Sequence, residues 1–224
     1  MMQGKVIVVT GGLGILGRAL VEAAKGAGAK VAVIDRASGK SDADLMLGDV
    51  DLANPASAKG AMDAVASQLG GLDGLANIAG GFTFTTLEDG GPAAWEAMFK
   101  INIGTSVGAT YAALPHLKAR GGAIVNVAAA AATKAAAGMG PYAASKSGVL
   151  RLTESLADEL KDQGVRVNAV APTIIDTPTN RADMPKADFS RWVQPADLAQ
   201  TILFLLSDAA RAVTGASLTV AGRV

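Results

Sequence analysis

One turn constrains this chain more than any other stretch. The apolar run Lys5 to Val9 reads as a strand and leads straight into Thr10-Gly11-Gly12-Leu13-Gly14-Ile15-Leu16-Gly17. A helical apolar period, Ile15 to Ala27, follows at once. Gly12, Gly14 and Gly17 satisfy G-x-G-x-x-G, and Gly11 adds a further glycine. Such a turn lets a strand reverse sharply, lets its backbone approach a pyrophosphate, and lets the helix pack close to the strand. The helix start then presents unpaired N–H groups and a partial positive charge to the phosphates. Asp35 ends the next apolar run 18 residues after Gly17. An acid there hydrogen-bonds a ribose 2′-hydroxyl and repels a 2′-phosphate. The spacing therefore predicts a dinucleotide site that prefers NAD(H) over NADP(H). Arg36 pulls the other way, because a guanidinium can bind a 2′-phosphate, although it also reads as a solvated surface arginine.

The rest of the chain repeats the strand-then-helix pattern. Strands are predicted at Lys30 to Ile34, Leu45 to Leu47, Gly74 to Ile78, Ala123 to Val127, Arg166 to Val170 and Ser217 to Val220. Helices are predicted at Pro55 to Leu69, Pro92 to Leu117, Tyr142 to Gln163 and Pro195 to Leu206. Several of the strands are apolar on successive residues, as strands buried on both faces of a parallel sheet must be. The expectation is an α/β fold, a doubly wound Rossmann-type parallel sheet of about seven strands with helices on both faces. Residues 1–224 read as one domain, with an irregular substrate loop at about 173–194. The alanine-rich stretch Ala128 to Ala137 reads as a packed loop.

Composition narrows the function. Twenty basic and 20 acidic residues cancel, which argues against a nucleic-acid or polybasic membrane surface. The absence of cysteine excludes disulfides, thiolate metal sites and a cysteine nucleophile. The single histidine, His116, cannot build a multi-histidine metal site and reads as exposed and inert. No run reaches the ~18 to 20 apolar residues of a membrane span, and Met1 to Thr10 lacks the parts of a signal peptide. A cytoplasmic protein acting on a small molecule, with no metal, is expected.

Tyr142 and Lys146 are four residues apart at the start of a predicted helix, so they share a face. A cation beside a phenol favours the phenolate, and the pair therefore reads as a proton donor or acceptor whose tyrosine pKa is lowered by Lys146.

These segments together resemble the short-chain dehydrogenase/reductase family over essentially the whole chain. Thr10 to Gly17 is similar to its cofactor loop, Asn77-Ile78-Ala79-Gly80 to its N-N-A-G segment and Tyr142 to Lys146 to its Y-x-x-x-K. Pro172-Thr173-Ile174-Ile175-Asp176-Thr177 resembles its P-G-x-x-x-T. The resemblance implies that Tyr142 is the acid/base, that Lys146 grips the nicotinamide ribose and supports it, and that Asn102 anchors a relay water. It implies a cofactor site of Gly11, Gly12, Gly14, Ile15, Leu16, Gly17, Asp35 and Arg36 at the first turn. Asp49 and Val50 would meet the adenine, and Asn77, Ala79, Gly80, Pro172, Ile175 and Thr177 would complete the site, with Thr177 on the carboxamide. Asn77 equally reads as a polar strand end satisfying nearby backbone. Relatives pair long helices, so a homo-dimer or homo-tetramer is implied.

Three departures matter. The glycine spacing is shifted from T-G-x-x-x-G-x-G, Thr173 stands for a glycine, and the family's serine 13 residues before the tyrosine is here Ala129. Loss of one such hydrogen-bond donor can cost ~10²- to 10³-fold in rate. The dihydropteridine reductase branch departs in the same way, and Gly138 to Tyr142, Ala79 to Phe82 and Asp176 to Trp192 resemble it further. The implied activity leans to dihydropteridine-like C=N reduction. An NAD(H)-dependent alcohol dehydrogenase or carbonyl reductase with Thr133 or a water as donor is the alternative, and a catalytically silent NAD-binding sensor is another. Phe82, Phe84, Met139 and Trp192, beside Ala129, are candidates for a flat apolar substrate pocket, and Arg181 for a polar substrate contact. Each also reads as ordinary packing or a surface ion pair.

Overall fold

In the computed structural model, residues 2–224 are described and form an α/β sandwich. In chain order the strands are β1 (Val6–Thr10), β2 (Lys30–Ile34), β3 (Leu45–Leu47), β4 (Gly74–Asn77), β5 (Ala123–Val127), β6 (Arg166–Pro172) and β7 (Ser217–Val220). The helices are α1 (Ile15–Gly26), α2 (Pro55–Leu69), α3 (Leu87–Phe99), α4 (Thr105–Lys118), α5 (Gly140–Leu160), α6 (Pro178–Asp183) and α7 (Pro195–Leu206). All strand pairs are parallel, in the order β3-β2-β1-β4-β5-β6-β7. The seven-stranded Rossmann-type arrangement expected from the sequence is what the structure has.

Alternation along the strands divides the core. Ile7 and Val9 of β1 face Leu20 of α1 and Leu198 and Ile202 of α7. Val6 and Val8 face the opposite layer, with Met62 of α2, Leu117 of α4 and Leu160 of α5. Side chains on successive strand residues point to opposite faces, so a strand with helices on both sides is apolar throughout. Helix ends follow local chemistry. The Asn54 side chain accepts from the Ala56 and Ser57 N–H groups, Pro55 opens α2, and Gly70 closes it in the left-handed region.

The predicted helix Pro92 to Leu117 is not continuous. Thr86 caps an earlier start by accepting from Asp89 N–H at 3.1 Å, and Gly91 and Pro92 kink the chain inside α3. Between α3 and α4 the residues Lys100–Gly104 form a π-helical turn. A π turn carries one extra residue per bond, which re-aims a side chain, and here it turns Asn102 inward. The long loop also contains more structure than expected, with α6 and a short 3₁₀ turn at Phe189–Arg191. Among the described residues, no helix is long and apolar enough to cross a membrane, and no cluster of three potential metal-ligating side chains occurs.

Candidate active site

The sheet order reverses between β1 and β4, so a crevice opens beyond their carboxyl ends. The Thr10 hydroxyl closes its floor by accepting from the Ile78 and Ala79 N–H groups at 3.0 and 3.1 Å. Gly11 has φ +66°, and a Cβ there would lie 2.9 Å from the Ala79 backbone. A Cβ on Gly17 would lie 2.4 Å from the Gly11 carbonyl oxygen. Gly12 differs, because its missing side chain would run into Val33 in the core. It is a packing glycine rather than a wall of the crevice.

The start of α1 has no side-chain cap and no acid in its first turn. Its N–H groups and dipole therefore face the crevice unopposed, as an anion requires. At one end the Asp35 carboxylate accepts from Leu13 N–H and Ala37 N–H, both at 3.0 Å, which holds it at the rim. Arg36 is exposed beside it. Asp49, in the left-handed region at φ 58°, accepts from the Ser38 hydroxyl and is not among the residues that line the cleft, although Val50 is. The cleft has a volume of about 910 Å³ and runs from Asp35 and Arg36 past Gly14, Val50 and Gly80 to Ile175 and Thr177. Size, glycine sterics and the free helix start all fit a dinucleotide. Leu13, Lys100, Val127 and Thr179 also line it. Leu13 lies within the glycine motif and was within reach of sequence reasoning. Lys100 enters through the π turn, which carries no local signal.

Near the far end, α5 presents Tyr142 and Lys146. The Lys146 ammonium is buried, donates to the Val127 carbonyl at 2.8 Å and lies 6.0 Å from the Tyr142 ring centroid. A Cβ on Gly80 would come within 3.4 Å of Nζ and 2.6 Å of Asn102 Oδ1, so the loop after β4 passes through a gap only glycine fits. The expected lowering of the tyrosine pKa is not found. Burial pushes the Tyr142 hydroxyl up to about 12 and the Lys146 ammonium down to about 8. The ammonium is spent on a backbone carbonyl, and desolvation of the phenolate wins.

Asn102 is buried, and its amide is committed to protein partners. Oδ1 accepts from Gly81 N–H at 3.0 Å, while Nδ2 donates to the Gly81 carbonyl at 3.1 Å and to Ser145 Oγ at 2.9 Å. Its own main-chain carbonyl accepts from Ser106 Oγ at 2.8 Å. Little of Asn102 is left to hold a relay water. Asn77 is turned away from the cleft. Its Nδ2 donates to Thr110 Oγ1 at 3.0 Å and Asn126 Oδ1 at 2.8 Å, so the side chain ties strands to helix rather than touching a cofactor. Pro172 ends β6 in the buried layer, and neighbouring Thr173 uses its hydroxyl on the Ala221 carbonyl. Thr177 lines the cleft while its hydroxyl caps α6 by accepting from Asn180 N–H at 3.2 Å.

The substrate-side candidates separate into two groups. Phe82 is 56% exposed, and its ring meets that of Tyr142 edge-on, with centroids 4.9 Å apart. Phe84 is exposed and packs over Gly138, next to the half-buried Met139 that precedes α5. These residues stay with the tyrosine. Trp192 does not offer a pocket wall, being 5% exposed and packed on Phe189 at 4.8 Å. Arg181 is taken up by a two-pronged pair with Asp176, at 2.6 and 2.7 Å, and lies 4.9 Å from the Phe189 ring. The guanidinium holds the Asp176 carboxyl below its ordinary range. Both residues staple the loop to itself. Ala129 is 4% exposed and carries no donor, and the Thr133 hydroxyl donates to the Ala130 carbonyl at 2.9 Å. His116 is partly buried and pairs with Asp63 at 2.9 Å, bracing α4 against α2.

Residues 5–188 match the family model described as short chain dehydrogenase. The chain is 35% identical over 241 residues to D-threitol dehydrogenase of Mycolicibacterium smegmatis, covering 99% of this chain and 93% of that protein. The structure of 3-ketoacyl-(acyl-carrier-protein) reductase from Brucella melitensis complexed with NADH matches with a TM-score of 0.88 at 28% identity, covering 100% of this chain and 99% of that one. Carveol dehydrogenase from Mycobacterium avium in complex with NAD matches with a TM-score of 0.86 at 28% identity, covering 98% and 97%. The glycine turn at the sheet's switch point, the tyrosine and lysine on one face of α5 and these likenesses agree: this chain belongs to the short-chain dehydrogenase family and is an oxidoreductase.

Proposed function

We propose that the protein is an NAD(H)-dependent reductase in which Tyr142 supplies a proton to a small, planar, conjugated substrate. The half-buried Tyr142, with the buried Lys146 ammonium 6.0 Å from its ring centroid near the far end of the cleft, carries this reading. Nicotinamide dinucleotide supplies the hydride when bound. Asp35, held by two backbone N–H groups, accepts from ribose hydroxyls and disfavours a 2′-phosphate, and Asp49 and Val50 border the adenine. Gly11, Gly14, Ile15, Leu16 and Gly17 offer the pyrophosphate backbone and helix start. Ala79, Gly80, Ile175 and Thr177 flank the nicotinamide end, and Lys146 meets its ribose. A phenol with a pKa near 12 is neutral at neutral pH, which suits proton donation in the reductive direction.

The substrate class follows from what surrounds that phenol. Ala129 gives no hydroxyl to polarise a carbonyl, while Phe82 leaves most of its ring open beside Tyr142. A flat ring stacking on Phe82 gains from apolar contact without needing the missing donor, and a dihydropteridine-like C=N system is such a ring. Alcohol or carbonyl chemistry is the second reading, supported by the alcohol-oxidising and keto-reducing relatives. NADH consumption with quinonoid dihydropteridine, set beside a ketone and aldehyde panel and repeated with NADPH, separates the two. Turnover of ketones alone would overturn the conjugated-ring reading, and NADPH preference would overturn the Asp35 assignment. NADH binding without turnover of any substrate would favour a silent sensor.

A further inference from the structure

We propose that Ser145 is a positioning residue that sets Tyr142 against the loop carrying Phe82, through the side chain of Asn102. The proposal rests on the reading that Tyr142 donates the proton. Ser145 is 1% exposed, lies between the tyrosine and the lysine on α5, and does not line the cleft. Its hydroxyl donates to the Tyr142 carbonyl at 2.7 Å and accepts from Asn102 Nδ2 at 2.9 Å. The same amide pairs with both the N–H and the carbonyl of Gly81. Gly81 precedes Phe82, whose ring returns to the Tyr142 ring at 4.9 Å.

The contacts therefore close a circuit from the Tyr142 backbone through Ser145, Asn102 and Gly81 to Phe82 and back to the Tyr142 ring. An i to i−3 bond from a serine hydroxyl to its own helix adds little to helix stability by itself. Here the hydroxyl does more, because it is the point at which the π turn and the loop after β4 are referenced to the catalytic helix. Without it, Asn102 still holds Gly81, but only packing, including the Phe82 ring on Tyr142, then relates that pair to the tyrosine. The phenol then gains freedom relative to the cleft, and small misplacements of reacting groups are costly in rate.

The test compares Ser145→Ala and Ser145→Cys with the unchanged enzyme, using quinonoid dihydropteridine and the ketone that turns over fastest. Ser145→Ala is expected to lower kcat about two- to tenfold, the worth of one hydrogen bond, with NADH affinity unchanged. Ser145→Cys, a weaker donor of similar size, should fall between. A readout free of substrate comes from Tyr111→Phe, which removes the other, exposed tyrosine and leaves Tyr142 as the chain's only phenol. Its phenolate absorbance should titrate well above an ordinary tyrosine, and adding Ser145→Ala should move the transition down as water reaches the ring. A lower thermal midpoint with kcat and the phenol titration unmoved would overturn the proposal and leave Ser145 as packing. Tyr142→Phe is the separate control, and full activity in that variant would remove the proton-donor reading itself.

Discussion

The first turn and the loop from Ile175 to Val193 lie at the same end of the sheet, and they are built in opposite ways. Thr10 to Gly17 is held by close backbone approaches at Gly11 and Gly17, by Gly12 against Val33, and by backbone N–H groups that donate to the Thr10 hydroxyl and the Asp35 carboxylate. Residues Ile175 to Val193 are held by side chains on one another: Asp176 with Arg181, Arg181 on Phe189, Phe189 on Trp192, and a parallel bridge between Ile175 and Val193 at the base. A turn whose glycines abut backbone and core has little spare volume for alternative packing. A loop stapled by its own side chains can keep its shape while its outer surface changes. Under the proposed function, rigidity at the dinucleotide end and a self-contained shape in the other loop are what a hydride-transfer site needs.

Four predictions break or sharpen this comparison. Tyr142→Phe should lower turnover by about 10²- to 10⁴-fold with NADH affinity retained, as measured by initial rates and fluorescence titration. Comparable rates in both proteins would remove the tyrosine from the chemistry.

Gly17→Ala tests the rigid turn. The new Cβ would meet the Gly11 carbonyl at 2.4 Å, so about 1 to 3 kcal/mol of stability should be lost together with most cofactor binding. Calorimetry and NADH titration report the two losses. Normal binding would show that the turn can relax.

Lys146→Met concerns the buried charge between the two regions. Burial lowers the ammonium from an ordinary 10.5 to about 8, so the unfolded chain binds the proton more tightly between those values. Stability should therefore rise with pH from about 8 towards 10.5. Tyr142, raised from 10.0 to about 12, keeps its proton better when folded, so its contribution falls between those values. Lys146→Met should abolish activity yet raise stability at neutral pH by up to about 3 kcal/mol, less the lost bond to Val127. Urea midpoints across the pH range check this, and the climb above pH 8 should vanish in the variant.

Arg181→Ala should have the smallest effect. Its guanidinium is half exposed, so the pair with Asp176 contributes little to global stability. The loop should loosen, raising KM a few-fold with kcat nearly unchanged. A large fall in kcat would mean that the arginine touches the substrate after all.

The two regions were also unequally legible. The first turn was legible as a motif, because a strand end, clustered glycines and Asp35 at the next strand end are short-range signals, although Gly12 packs on Val33 and Gly11 on Ala79 from distant segments. Tyr142 and Lys146 were legible as a pair from helical spacing. The loop misled, since Arg181 and Trp192 have the composition of a binding surface and are consumed internally. Asn77 misled in the same way, its amide being drawn into bonds with Thr110 and Asn126. Asn102 was found by its position, but the π turn that buries it and its link to Ser145 left no pattern. Those contacts join residues 21 and 43 positions apart.

By itself the sequence determined the layers, the parallel sheet, the location of the crevice and the placing of Tyr142 and Lys146 on one helix. Each depends on short-range rules: the period of apolar residues, the clustering of glycines at a strand end, and the spacing of a helix turn. Only the tertiary structure decided which polar side chains remain free and in which direction the phenol and ammonium are pushed. Both depend on desolvation and on hydrogen-bond partners brought from distant segments. In this chain those outweighed the attraction between neighbours on one helix: Lys146 turned to Val127, and Tyr142 kept its proton.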